Sequence, residues 1–205
     1  MKTQSHWEQT YATRAEHQVS WYRPHLEVSL ELLMKAGLNR HSRIIDVGGG
    51  ASTLVDDLLH RGVSHITVVD LSATALEISR KRLGLRAAQV SWIVQDVTRL
   101  ELAPGSFDIW HDRAALHFLV DENDIRRYVQ IATGAIASGG HAVIGGFAAD
   151  GPEKCSGLPV VRRDPEEIGA LFADHFSLIE SRRELHVTPA GKPQSFAYAL
   201  LRKTA

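Results

Sequence analysis

At 205 residues, with 44% hydrophobic and 23% charged side chains, the chain has the size and composition of one well-buried globular domain and is short for two. A formal net charge of −1 and scattered lysines and arginines give no basic face for nucleic acid; the densest run, Arg80-Lys81-Arg82, reads as a solvated helix face beside Glu77. Cys155 is the only cysteine, which excludes an intrachain disulfide and a cysteine-rich zinc site, and with no apolar leader pattern at 1–7 and no run of membrane-spanning length, a cytosolic, metal-free protein is expected.

The first 40 residues are rich in aromatic and polar side chains, with Trp7, Tyr11, Trp21 and Tyr22 ahead of a helical pattern over 25–36 that Gly37 ends. Strands are expected at 43–47, 65–70, 90–95, 107–111 and 141–147, with helices at 52–61, 72–83 and 121–137 between them. That alternation implies a parallel sheet covered by helices on both faces, a doubly wound α/β fold. After an irregular loop over 148–164, Asp164 is placed as the N-cap and Pro165 as the first residue of a helix over 165–173. Two long segments, 176–186 and 195–202, flank Thr188-Pro189-Ala190-Gly191-Lys192-Pro193 and read as an antiparallel hairpin.

The segment Ile44-Ile45-Asp46-Val47-Gly48-Gly49-Gly50-Ala51-Ser52-Thr53 carries the most information. A β-branched run, a glycine turn, a helical stretch and a second run ending at Asp70 describe a nucleotide-type βαβ unit. Thr53 stands at the third glycine position of a dinucleotide fingerprint, and Asp46 just before the turn would repel a pyrophosphate. The carboxylate suits a cationic ligand, and S-adenosylmethionine is one, with a sulfonium, an ammonium and a ribose but no phosphate. Asp46 would hold its amino acid end, Gly48, Gly49 and Gly50 would let the backbone approach, and Asp70, 24 residues beyond Asp46, would accept hydrogen bonds from both ribose hydroxyls. A third strand, Val90-Ser91-Trp92-Ile93-Val94-Gln95, leads to a third acid, Asp96.

These residues resemble the class I S-adenosylmethionine-dependent methyltransferases, from about Ile44 to the end of the chain. The resemblance implies a Rossmann-like, mostly parallel seven-stranded sheet whose C-terminal strand is antiparallel, in a single domain over 1–205. It implies that Asp96 receives the adenine amino group with Val97 packed on the ring, and that Leu71 and His111 join the cofactor wall. In related folds an N-terminal helix closes over the site, a role open to residues 1–40. Aromatic faces there would suit a sulfonium; covering the sheet edge is the alternative.

Ligands of open α/β sheets bind at the carboxyl ends of the strands, so the fourth strand's end should face the acceptor. It reads Phe107-Asp108-Ile109-Trp110-His111-Asp112-Arg113-Ala114-Ala115-Leu116-His117. Asp112 and Arg113 either form a structural ion pair or face the acceptor as catalytic groups, and His117 is either a general base or a packing residue. Cys155, in the loop after the fifth strand, either lines the pocket or is inert. The Asp-Arg-Ala-Ala-Leu pattern is similar to that of thiol and thiopurine methyltransferases, where an arginine lies at the acceptor pocket. A small-molecule acceptor such as a thiol or amine is therefore expected. A protein lysine methyltransferase of the same fold and a non-catalytic S-adenosylmethionine-binding module are the alternatives, and a dehydrogenase is disfavoured by Thr53 and Asp46.

Overall fold

The computed structural model describes residues 2–204. In chain order the elements are α1 (Lys2–Thr13), α2 (Glu27–Lys35), β1 (Arg43–Val47), α3 (Leu54–His60), β2 (His65–Asp70), α4 (Ala73–Leu83) and β3 (Val90–Val94). They continue with β4 (Phe107–Arg113), α5 (Glu122–Ala135), β5 (Ile136–Phe147), β6 (Lys154–Cys155), β7 (Leu158–Pro159), α6 (Pro165–Leu171), β8 (Phe176–Val187) and β9 (Pro193–Lys203). Seven strands form one sheet in the order β3-β2-β1-β4-β5-β9-β8. β1 to β5 run parallel, and β9 inserts antiparallel between β5 and β8. This is the expected mostly parallel sheet with an antiparallel C-terminal strand. No helix among the described residues is long and apolar enough to cross a membrane.

Strand alternation sorts the core into two layers. Ile44, Ile66, Val68, Val143 and Leu200 pack with α2 and α3 residues such as Leu32, Leu33, Leu54 and Leu58. Their strand neighbours Ile45, Val69, Ile144, Ala199 and Leu201 face Tyr128 and Ala132 of α5 and Ile168 of α6. A smaller aromatic layer lies over the glycine turn, where Trp7 and Tyr11 of α1 pack with Ala51 and Ala75. α6 begins as expected, with Pro165 in its first turn and a capping box between Asp164 and Glu167.

Three local expectations change. The fifth strand begins at Ile136, directly after α5, because Ile136 already pairs with Phe107; a register shift and the positive φ of Gly139 absorb the irregularity before His141. The loop over 148–164 is not wholly irregular, since Lys154–Cys155 and Leu158–Pro159 form a two-stranded hairpin turned by Ser156 and Gly157, both at positive φ. The fourth strand continues through Arg113, pairing Asp112 with Ile144 and Arg113 with Gly145. Neighbours on a strand point to opposite faces, so Asp112 and Arg113 do not form the ion pair that their adjacency suggests.

Asp112 instead closes a buried chain on the α5 side. The Ala115 and Leu116 N–H groups donate to its two oxygens at 2.7 and 2.9 Å, and the Tyr128 hydroxyl donates to Oδ2 at 2.6 Å. The Trp110 indole N–H donates to Tyr128 at 2.9 Å. Tyr128→Phe would strip one donor from Asp112 and the acceptor from Trp110, and is expected to lower stability by about 1–3 kcal/mol. Thermal melts of the variant check this; an unchanged melting temperature would contradict a structural role for the chain.

Candidate functional site

The three strand-terminal acids lie at the carboxyl ends of β1, β2 and β3. The Gly48 and Gly49 N–H groups donate to Val69 O at 2.8 and 3.2 Å, which folds the turn back over β2. Its glycines are required by close approach: a Cβ on Gly49 would lie 2.5 Å from Asp46 Oδ2, and one on Gly50 2.6 Å from Asp70 Oδ2. Asp46 is 2% exposed; its Oδ1 is engaged by His111 at 2.7 Å, while Oδ2 is buried without a hydrogen-bond partner among the described residues. Asp70 accepts from the Ser72 N–H at 2.8 Å, and burial, with the charges of Asp46 and Glu8 adding, pushes its pKa up to about 7. Asp96 is partly exposed and accepts from the Thr98 N–H and hydroxyl at 2.9 and 2.8 Å, with Val97 half-buried beside it.

These groups fit a ligand with a cationic end and a diol. An unpartnered buried carboxylate oxygen is costly unless a donor or cation meets it, and Asp70 is an acid whose charge is poorly compensated. The cavity lined by Asp46, Gly48, Gly49, His111 and Arg113 measures about 40 Å³. Tyr11 and Trp21 line it, with rings 6.1 Å apart, and Trp7 packs against Trp21 at 5.6 Å and Phe118 at 5.0 Å between ring centroids. Tyr22 lines the same cavity and is partly exposed. Glu8 fastens α1 by accepting from the Ala73 and Thr74 N–H groups at 2.7 and 3.2 Å at the start of α4, and Gln4 donates to Leu71 O at 3.2 Å.

The remaining residues separate by face. Arg113 points away from Asp112, donating from Nε to the Tyr198 hydroxyl at 2.9 Å and from Nη1 to Trp21 O at 3.1 Å, with its guanidinium 4.5 Å above the Phe196 ring. Its Nη2 is buried and unpartnered among the described residues. Tyr198 donates onward to Glu184 at 2.7 Å, and Glu184 also pairs with Arg23 at 3.0 Å. His117 is 3% exposed and its Nδ1 accepts from the Phe147 N–H at 3.4 Å. Burial, with Arg113 and Arg163 adding, pushes its pKa down to about 3, so the ring is neutral with its proton on Nε2. That makes His117 a donor and a poor base. Cys155 is buried, which pushes its thiol up to about 12.

The model of the family described as "Methyltransferase domain" matches residues 44–140. The match covers just under half of the chain, and the sheet order with its antiparallel last strand is that of the class I methyltransferase fold. A mouse eEF1A lysine and N-terminal methyltransferase is 27% identical to this chain over 121 residues, covering 58% of the chain and 17% of that relative. A malonyl-[acyl-carrier protein] O-methyltransferase of Chlorobium phaeovibrioides is 28% identical over 160 residues, covering 74% of the chain and 60% of the relative. The chain thus spans less than two thirds of both relatives. Among solved structures, the N-methyltransferase NodS of Bradyrhizobium japonicum, in complex with S-adenosyl-L-homocysteine, superposes with a TM-score of 0.74 at 16% identity, covering 97% of this chain and 98% of that one.

Several residues of the candidate site escape a reading of the sequence: Ser29 behind His111, Tyr198 and Glu184 behind Arg113, and Glu8 at α4. Tyr198 leaves one trace, because its ring lies over Gly145 directly across the β5–β9 pair, and a glycine in a buried strand marks a close approach. Asp70→Asn tests the electrostatics. An acid whose folded pKa is about 7 binds its proton more tightly folded than unfolded, so it weakens the fold progressively as pH rises from about 4 through 7. The variant is expected to gain about 2–4 kcal/mol over the parent at pH 8 and little at pH 4. Melting curves at the two pH values check it, and an equal effect at both would contradict it.

Proposed function

We propose that the protein transfers the methyl group of S-adenosylmethionine to a small-molecule nucleophile. The observation that carries this reading is the buried, unpartnered Asp46 Oδ2 at the glycine turn, which a ligand ammonium would satisfy. Asp70 would accept the ribose hydroxyls and Asp96 the adenine amino group, with Leu71 and Val97 against the base. When bound, the cofactor supplies an electrophilic methyl on a sulfonium. Ligand pockets of this kind measure roughly 300–1,000 Å³, so the N-terminal segment, which now leaves about 40 Å³, swings out to admit the cofactor and returns to exclude water.

The chain's residues favour a small acceptor with anionic character. Arg113, on its apolar Phe196 platform, presents positive charge where an acceptor would lie and opposes a lysine ammonium, although the mouse relative is named for lysine methylation. His117 would orient the acceptor through Nε2–H. It would not take a proton, which suits a nucleophile that ionises readily, such as a thiol.

Three experiments test the assignment. With methyl-labelled S-adenosylmethionine and a panel of small thiols, amines and carboxylates, transfer to at least one small acceptor is expected; labelling of lysine peptides alone would overturn the acceptor class. Asp70→Ala is expected to weaken S-adenosylhomocysteine binding by about 10–100-fold, and unchanged affinity in a folded variant would remove the ribose role. Arg113→Ala is expected to keep that affinity within about threefold while transfer falls about 100-fold; full activity would make Arg113 structural.

A further inference from the structure

Asp46 and His111 are register partners across the parallel β1–β4 pair, so the two side chains emerge side by side on one face of the sheet. A carboxylate only accepts, so the 2.7 Å contact puts the imidazole proton on Nδ1. In the neutral ring Nε2 then keeps its lone pair and accepts from the Ser29 hydroxyl of α2 at 2.9 Å. Ser29 and His111 are each 1% exposed. With both ring nitrogens occupied, His111 has no hydrogen bond of its own to offer a ligand. The one unpartnered polar atom of the chain Ser29–His111–Asp46 is Asp46 Oδ2, beneath the glycine turn.

We propose that Ser29 and His111 are positioning residues for ligand recognition: they act through Asp46, fixing the plane of its carboxylate so that Oδ2 meets the ammonium of the cofactor's amino acid end. This rests on the cofactor reading above and adds to it a residue, Ser29, and a different role for His111. A buried polar pair between a helix and a sheet costs desolvation that an apolar pair would avoid. The arrangement repays that cost by orienting the ligating group, much as an outer partner orients a metal ligand. A carboxylate released from His111 would turn its oxygens toward other donors, and the ammonium would lose a preorganised partner.

The test compares two ligands that share adenine, ribose and a thioether sulfur. S-adenosylhomocysteine has the ammonium-bearing end, and 5′-methylthioadenosine lacks it. By calorimetry, His111→Ala is expected to weaken S-adenosylhomocysteine by about 10–100-fold while 5′-methylthioadenosine stays within about twofold. Ser29→Ala is expected to cost about 3–10-fold with the same selectivity. His111→Asn, whose amide N–H can replace the Nδ1 donor, is expected to recover most of the lost affinity. Equal weakening of both ligands, or unchanged S-adenosylhomocysteine affinity in folded His111→Ala, would overturn the proposal. If His111→Ala does not fold, Ser29→Ala and His111→Asn decide by the same ratio. Parent protein that binds neither ligand would instead refute the cofactor reading, an outcome separate from a loss of selectivity among variants.

Discussion

Negative charge buried at the carboxyl edge of the sheet is the constraint around which this molecule is arranged. Asp46, Asp70 and Asp112 end or nearly end three neighbouring parallel strands, and all three are under 10% exposed. Each meets the cost of desolvation differently. Asp112 is fully satisfied by two backbone N–H groups and Tyr128, although burial still raises its pKa to about 6. Asp46 is half satisfied, and Asp70 accepts from the Ser72 and Gly50 N–H groups but has neighbours of its own sign. The acid turned to the α5 side holds the fold together, and the two around the glycine turn keep accepting capacity in reserve.

The N-terminal segment completes that edge. Three carbonyls of its strap are held from different elements: Ser20 O by His186 Nε2 of β8 at 2.6 Å, Trp21 O by Arg113 of β4, and Arg23 O by the Thr53 hydroxyl before α3 at 2.9 Å. Arg113, Tyr198, Glu184 and Arg23 form one connected network beneath the strap. Moving the strap would break contacts to β4, β8 and the start of α3 together, so the opening proposed above would be concerted, with its cost shared among them. Arg113 links the strap to the floor of the site, which makes one residue responsive to both.

The parallel sheet, the antiparallel tail and the acids at Asp46, Asp70 and Asp96 were legible because they rest on local patterns: β-branched runs, glycine turns and carboxylates at strand ends. What stayed hidden depends on register and on facing. Asp112 and Arg113 read together in the sequence, as an ion pair or as joint acceptor groups, yet a strand that runs two residues further than expected sends them to opposite faces. His111 was read as part of a cofactor wall, but only the β1–β4 register shows that it meets Asp46 rather than open cavity. Ser29 is a lone serine on an apolar helix, with no sequence signal to distinguish it. The hairpin at Cys155 turns on a serine at positive φ, which residue preference does not suggest.

The most direct test of the account is a calorimetric titration with S-adenosylhomocysteine at pH 6 and pH 8, in buffers of different ionisation heat. Ribose hydroxyls donating to Asp70 would stabilise its ionised form, so binding should release a proton near pH 7 and tighten by about tenfold between the two pH values. Absence of binding, or binding of equal strength at both pH values without proton release, would contradict the assignment of the buried carboxylates to the cofactor.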